Sequence, residues 1–256
     1  FHGRTADSIS ATFLGKYREL GRPNVPGHLC AEFGSAESVA ALADETVAAV
    51  MLEPIQSMAG VREAGPEFFA ALRRLCDERG MLLIYDEVQT GVGRTGEWFF
   101  AGSEAGGGVV PDIMTLAKAL GSGVPVAACL TTEGVASSVK ENDLGTTFGG
   151  GMLAMAAVEA TLEAIEADGM LANAREREAQ LRGLLAGVAG VTRLRGRGLL
   201  LGVEFEEPLA ARAQSALLER RIITGTSSDP RVLRLLPPLC LKAEEAELFV
   251  EALKGF

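Results

Sequence analysis

The apolar positions of this chain fall into short unbroken runs and helical stripes, and they alternate. Residues 47–52 and 81–85 are runs of strand length, the first closed by Glu53-Pro54; continuous apolar runs suit parallel strands buried on both faces, and proline ends a ladder. Between them Gly65-Pro66 opens a helix, with Phe68, Leu72, Leu75 and Arg79 at i, i+4, i+7 and i+11 and Gly80 as its C-cap. Strand, helix, strand is the βαβ unit of a parallel sheet. Residues 1–35 read as loop and turn, broken by Gly3, Gly15, Gly21, Pro23, Pro26 and Gly27, and 39–44 as a short helix. Further strands are expected at 113–116 and 124–130, and a long helix at 152–167.

From Leu171 the character changes. A charge-rich helix at 172–188 precedes strands at 191–197 and 199–206, which pair around Gly196 and Gly198; an amphipathic helix at 209–221, a strand at 232–236 and a closing helix at 243–253 follow. The expectation is a large α/β domain over 1–167 with a mostly parallel sheet, and a smaller α+β domain over 168–256.

Composition adds exclusions. A net charge of −10 argues against nucleic acid and anionic membrane surfaces as partners. Cys30, Cys76, Cys129 and Cys240 are scattered, with no spacing that suggests a metal site or redox motif, so free thiols in a reducing cytoplasm are expected. No stretch is long and apolar enough to cross a membrane, and no signal peptide is visible. The glycine-rich stretch 102–108 follows no strand and is not a nucleotide loop.

The candidate chemistry starts from one lysine. Of the chain's five lysines, Lys16, Lys140, Lys242 and Lys254 lie among charged or turn residues; Lys118 alone is embedded between apolar stretches. Burial would lower its pKa, which an amine nucleophile needs; a snorkelling lysine at a strand end is the other reading. The run 81–85 ends in Asp86 and Glu87, and ligands of parallel sheets collect at the strands' carboxyl ends. Such an acid near an amine fits pyridoxal 5′-phosphate, the lysine forming a Schiff base and the acid keeping the pyridine nitrogen protonated. A strand-end aspartate capping the next turn is the alternative.

These two stretches, together with Phe1-His2-Gly3-Arg4-Thr5, Glu53-Pro54-Ile55-Gln56, Gly91-Val92-Gly93-Arg94-Thr95-Gly96 and Thr146-Thr147-Phe148-Gly149-Gly150, resemble the class III pyridoxal-phosphate-dependent aminotransferases of the acetylornithine and ornithine group. The similarity runs in order from the first residue to Leu239. It implies fold type I, a homodimer with shared active sites, an ω-amine donor such as N-acetylornithine, and 2-oxoglutarate as acceptor. Other donors of the same class (4-aminobutyrate, ornithine, a diamine) and a cofactor-free binding protein on the same fold are the alternatives. The chain opens inside a motif without an initiator methionine, and the resemblance implies a longer N-terminal portion holding a turn that cups the cofactor phosphate.

By the same resemblance, Lys118 and Asp86 are catalytic. Phe1 stacks on one face of the cofactor ring and Val88 on the other, Gln89 meets the ring hydroxyl, and Glu87 lies among the cofactor contacts. Thr147 reaches the phosphate of the neighbouring subunit, with Thr146 near substrate. Read from the residues alone, Phe1 is also an ordinary core aromatic and 146–150 a capped helix start. Arg4 is a candidate clamp for the substrate carboxylate, since a guanidinium fork matches a carboxylate. Arg234 matches a second arginine, for the α-carboxylate of 2-oxoglutarate; Arg195 and Arg197 read as surface or strand-end charges. Relatives carry Asn-Pro where this chain has Gly151-Met152, and Gly-Glu where it has Ser57-Met58. That glutamate masks the second arginine; methionine has no charge to do so, and Glu53 is a partial substitute. No metal site is expected.

Overall fold

The computed structural model describes residues 1–255; Phe256 lies outside it. Two short helices, α1 (Ala6–Ala11) and α2 (Gly15–Leu20), stand where loop was expected. Six residues are too few to show a helical period, and a local signal starts the first: Ser8 Oγ lies 2.8 Å from Thr5 Oγ1 and accepts the Thr5 N–H at 3.1 Å, satisfying a donor that the helix start leaves unpaired. Helix α3 (Ala36–Leu42) then leads to strand β1 (Ala49–Leu52).

The expected βαβ unit is present as β1, α4 (Pro66–Arg79) and β2 (Leu82–Asp86). Pro66 sits in the first turn of α4, and Gly80 closes it in the left-handed region, φ 66°, its N–H on Cys76 O. The buried face of α4 (Phe68, Phe69, Leu72, Cys76) packs with Leu83 and Tyr85 of β2 and with Ile55; a fully buried side chain of this size contributes about 1.5–3 kcal/mol. β2 pairs in parallel with both β1 and β3 (Ile113–Leu116). β4 (Ala128–Thr131) runs antiparallel on the far side of β3, giving the order β1-β2-β3-β4. The strand expected over 124–130 is shortened at its start, where Pro125 has no N–H to donate.

A short helix α5 (Glu133–Ala136) and an exposed segment lead to α6 (Met152–Ala167) and α7 (Met170–Leu185). The second sheet is wholly antiparallel, in the order β5-β6-β8-β7, from β5 (Val191–Arg197), β6 (Leu200–Phe205), β7 (Gly225–Thr226) and β8 (Val232–Leu235). Helix α8 (Ala210–Glu219) lies between β6 and β7, and α9 (Ala243–Lys254) closes the chain. Alternation sorts this sheet's side chains. Leu201, Val203, Leu233 and Leu235 join Leu181, Leu217 and Val250 of the helices in one core. Leu200 and Val232 point the other way, into the core of the first sheet with Ile55 and Val61. Among the described residues no helix is long and apolar enough to cross a membrane.

Candidate active site

The parallel register brings the two leading candidates together. Asp86 is the last residue of β2, opposite Thr115 of β3, and Lys118 follows two residues after β3 ends, in a 3-10 turn over Lys118–Gly121. Both therefore stand at the carboxyl edge of neighbouring strands, where such sheets hold ligands. Helix α6 packs against the Lys118 turn.

Asp86 is 5% exposed. Burial alone would raise its pKa, but His2 Nδ1 at 2.7 Å from Oδ2, the Val88 N–H at 3.1 Å from Oδ1 and the nearby positive charges outweigh it, and the carboxyl is held below its usual range. His2 is the functional residue that sequence reasoning passed over. It lay inside the quoted Phe1–Thr5 motif, yet its partner is 84 residues away, beyond the reach of local spacing.

Lys118 departs from the expectation of burial: its side chain is open to solvent. Even so, partial loss of hydration is the largest influence on the ammonium and holds its pKa below the lysine norm. Asp86 and Glu53 pull the other way, and Arg234 adds to the lowering. Its backbone sits at φ 44°, a region a lysine occupies only at a cost, and one that clusters at functional sites.

Glu87 is 1% exposed, and its oxygens accept the N–H groups of Phe100 and Ala101, both at 2.7 Å, and the Thr90 hydroxyl at 3.0 Å. Burial raises its pKa, these bonds opposing. Its carboxylate thus organises the loop after β2 rather than facing Lys118. Val88 and Gln89 follow in that loop, half-buried. Arg94 ties the same loop to the second sheet, donating to the carbonyls of Leu199 and Pro237; burial pushes its pKa down to about 10.

Phe1 meets Tyr17 edge-on, ring centroids 5.1 Å apart, and the exposed Arg4 guanidinium lies 5.3 Å from the Tyr17 ring and 6.0 Å from that of Phe1. Glu53 is buried beside the Phe1 backbone nitrogen, and desolvation raises its pKa. Arg234 donates from Nη1 to Ser57 Oγ at 3.0 Å and from Nε to Thr226 O at 2.6 Å. Burial lowers its pKa, with Glu53 and Tyr17 opposing, and among the described residues no carboxylate comes within ion-pairing distance of it. Ser57, fully buried, therefore supplies a neutral partner. Met58 lines a pocket with Tyr17, Thr226, Ser227 and Ser228.

The reading of Arg195 as a surface charge is corrected. Its side chain is 15% exposed, with Nε 2.8 Å from Glu204 Oε2, Nη1 3.0 Å from Gly60 O and 3.8 Å from Asp229. Arg197 is half-exposed on Glu63, as expected of a strand-end charge. Thr146 and Thr147 stand on an exposed segment and make no hydrogen bond among the described residues; the structure does not bring them to Asp86 or Lys118.

The ring end of pyridoxal 5′-phosphate fits these residues. A buried aspartate kept ionised by His2 suits a protonated ring nitrogen, and an amine of lowered pKa at the adjacent strand end suits an aldehyde. The model of the family described as aminotransferase class-III matches residues 1–256. The chain belongs to the class-III aminotransferases. It is 42% identical over 259 residues to acetylornithine aminotransferase 1 of Bordetella bronchiseptica, covering 99% of this chain and 65% of that protein. With acetylornithine aminotransferase of Agrobacterium fabrum it shares 43% identity over 251 residues, 96% of this chain and 62% of that protein. Among solved structures, the ornithine aminotransferase of Toxoplasma gondii, with partial occupancy of PLP at its active site, superposes with a TM-score of 0.89 at 30% identity. That match covers 100% of this chain and 61% of the other. The chain thus spans a little under two thirds of the length of these relatives. Its architecture is that of fold type I, as expected, with a parallel-rich first sheet.

Proposed function

We propose that the whole protein is a pyridoxal 5′-phosphate-dependent aminotransferase that moves an amino group from an ω-amine donor, N-acetylornithine or a close analogue, to 2-oxoglutarate. The observation that carries this is the pairing of Lys118 and a His2-backed Asp86 at adjacent strand ends; the acetylornithine aminotransferases among the relatives support the choice of donor. When bound, the cofactor supplies an electron sink that lets a C–H bond beside the substrate nitrogen ionise. Asp86 holds the proton on the ring nitrogen, and His2 keeps Asp86 ionised and aimed. Lys118 takes the proton from the substrate carbon and returns it to the other side of the nitrogen, as base and then as acid. A lowered pKa makes more of the free amine present near neutral pH. Phe1 and Val88 would flank the ring and Gln89 would meet its hydroxyl, and Glu87 contributes by fixing the loop that carries Val88 and Gln89. Arg4 and Arg234 receive carboxylates.

The protein works as a homodimer in this reading, with Thr147 facing the phosphate in the partner subunit and Thr146 near its substrate. Support comes from the apolar surface around them: Leu144, Phe148, Met152 and Leu153 are 79%, 89%, 90% and 78% exposed, more than a lone subunit leaves together without use. The domain division at 167/168 belongs to the same proposal. A visible absorption spectrum of the full-length protein with added pyridoxal phosphate tests it. A band shifted from that of the free cofactor, lost in Lys118→Ala, is expected; identical spectra for the two proteins would remove the assignment.

A further inference from the structure

One row of residues crosses the second sheet: Arg195 of β5 is opposite Gly202 of β6, and Gly202 is opposite Arg234 of β8. Cross-strand partners share a face, so two arginines flank a glycine. Into the gap over that glycine comes a side chain from outside the sheet. A Cβ on Gly202 would lie 2.8 Å from Val232 Cγ1 and 2.9 Å from Val61 Cγ2, and one on Gly196 would lie 2.0 Å from Leu200 O and 2.8 Å from Val61 Cγ1. Both approaches to Val61 are closer than side-chain carbons tolerate, so the two glycines form a slot that Val61 fills, 1% exposed.

Val61 has a backbone φ of 51°, and a β-branched residue there is a genuine outlier that only surrounding contacts can hold in place. Those contacts are present. The loop is closed by the Gln56–Arg62 bridge and by the Val61 N–H on Ser57 O at 3.2 Å. Arg195 donates to Gly60 O, and the Ser228 N–H to Met58 O at 2.9 Å. The loop's Ser57 Oγ is the acceptor for Arg234 Nη1. The two guanidiniums of the row thus turn apart, Arg195 to Glu204 and Asp229, Arg234 to Ser57 and Thr226.

We propose that Val61 is a positioning residue for Arg234: its side chain, wedged over Gly202 between the two arginines, fixes the 57–62 loop so that Ser57 aims the Arg234 guanidinium and the carboxylates around Arg195 stay away from it. The wedge thereby keeps one arginine of the row without a carboxylate of its own and open to a dicarboxylic ligand. This rests on the reading of Arg234 as a carboxylate receptor.

The test uses the full-length holoenzyme and glutarate, an unreactive dicarboxylate, with calorimetric dissociation constants measured beside melting temperature and the KM of the 2-oxo acid. Val61→Gly empties the slot, and Gly202→Ala crowds the wedge, together with Val232 Cγ1, without demanding an unusual backbone; each is expected to weaken glutarate binding and raise the acceptor KM about tenfold, a part of what loss of a charge-assisted hydrogen bond gives. Val61→Thr keeps the shape but buries a hydroxyl, so the melting temperature falls while glutarate binds within about twofold of the parent. Arg234→Lys is the control, expected to weaken glutarate by about thirtyfold or more. If Arg234→Lys binds glutarate normally, the receptor reading falls and this inference with it. If that control weakens binding while Val61→Gly and Gly202→Ala do not, or if Val61→Thr weakens it as much as Val61→Gly, the inference alone is overturned and Val61 is packing.

Discussion

The loop 56–62 and the segment 137–153 both present groups to the proposed ligands, and they are built in opposite ways. The first is held from every side: Ser57 on Arg234, Met58 on Ser228, Gly60 on Arg195, Val61 in a slot of the second sheet. The second carries Thr146 and Thr147 without any such ties and turns Leu144 and Phe148 to solvent. A guanidinium that must present one geometry to a carboxylate needs support within its own subunit. In the proposed dimer, a threonine offered to a neighbour's phosphate takes its geometry when the two surfaces meet. On that proposal the contrast separates what one chain supplies from what association supplies.

The largest expected effect lies at the centre both regions serve. Lys118→Ala should lower turnover by about 10⁴-fold, the scale of a lost acid–base group; a single-turnover assay with the amine donor measures it, and retained turnover would leave neither region a site to serve. Asp86→Asn should slow the first half-reaction by about 10²-fold or more, read by stopped flow. An unchanged rate would reduce Asp86 to a strand-end cap. To break the open region, Leu144→Ser with Phe148→Ser should raise the dimer dissociation constant at least about tenfold, since each apolar side chain contributes about 1.5–3 kcal/mol when buried. Sedimentation reads the outcome, and an unshifted monomer–dimer equilibrium would place the interface elsewhere. To sharpen the clamped region, Met58→Glu should give Arg234 a competing carboxylate and weaken glutamate and 2-oxoglutarate by about tenfold, with ω-amine donors changed less. Equal changes for the two classes would make Met58 a packing residue.

The smallest effect concerns acid stability. Arg195 and then Arg193 hold the Glu204 carboxyl down to about 2, against desolvation. A depressed folded-state pKa contributes stability that is complete above the unfolded value, near 4.3, and is lost as pH falls through about 2. Glu204→Gln should therefore flatten the fall in melting temperature between pH 4.5 and pH 2. A parallel curve would show that the pairing of Glu204 with Arg195 and Arg193 contributes nothing to stability.

Elements with a strong local signal were legible in the sequence. The βαβ unit over 49–86 declared itself through unbroken apolar runs, Pro66 and Gly80, and the ends of apolar runs marked Asp86 and Lys118 as candidates, though the burial expected of Lys118 is absent. The misses share a cause, dependence on distant partners. The helices α1 and α2 and the two-residue strand β7 are too short to carry a period. His2 acquires its meaning from Asp86, Ser57 from Arg234, and Arg195 from Glu204 and Gly60. Val61 looked like any apolar residue until the sheet placed two glycines around it.

The buried carboxylate of Glu87 has a consequence for how the molecule opens. Phe100 and Ala101 lie outside any regular strand, yet their amides donate to that carboxylate in the interior. In deuterated water they should exchange as slowly as amides of the central strands, because releasing them requires exposing an inner carboxyl together with the aromatic cluster of Phe69 and Phe100. A protease would then find its first cut not in this long connection but in 137–151, and the clipped chain should keep the 90–101 amides protected.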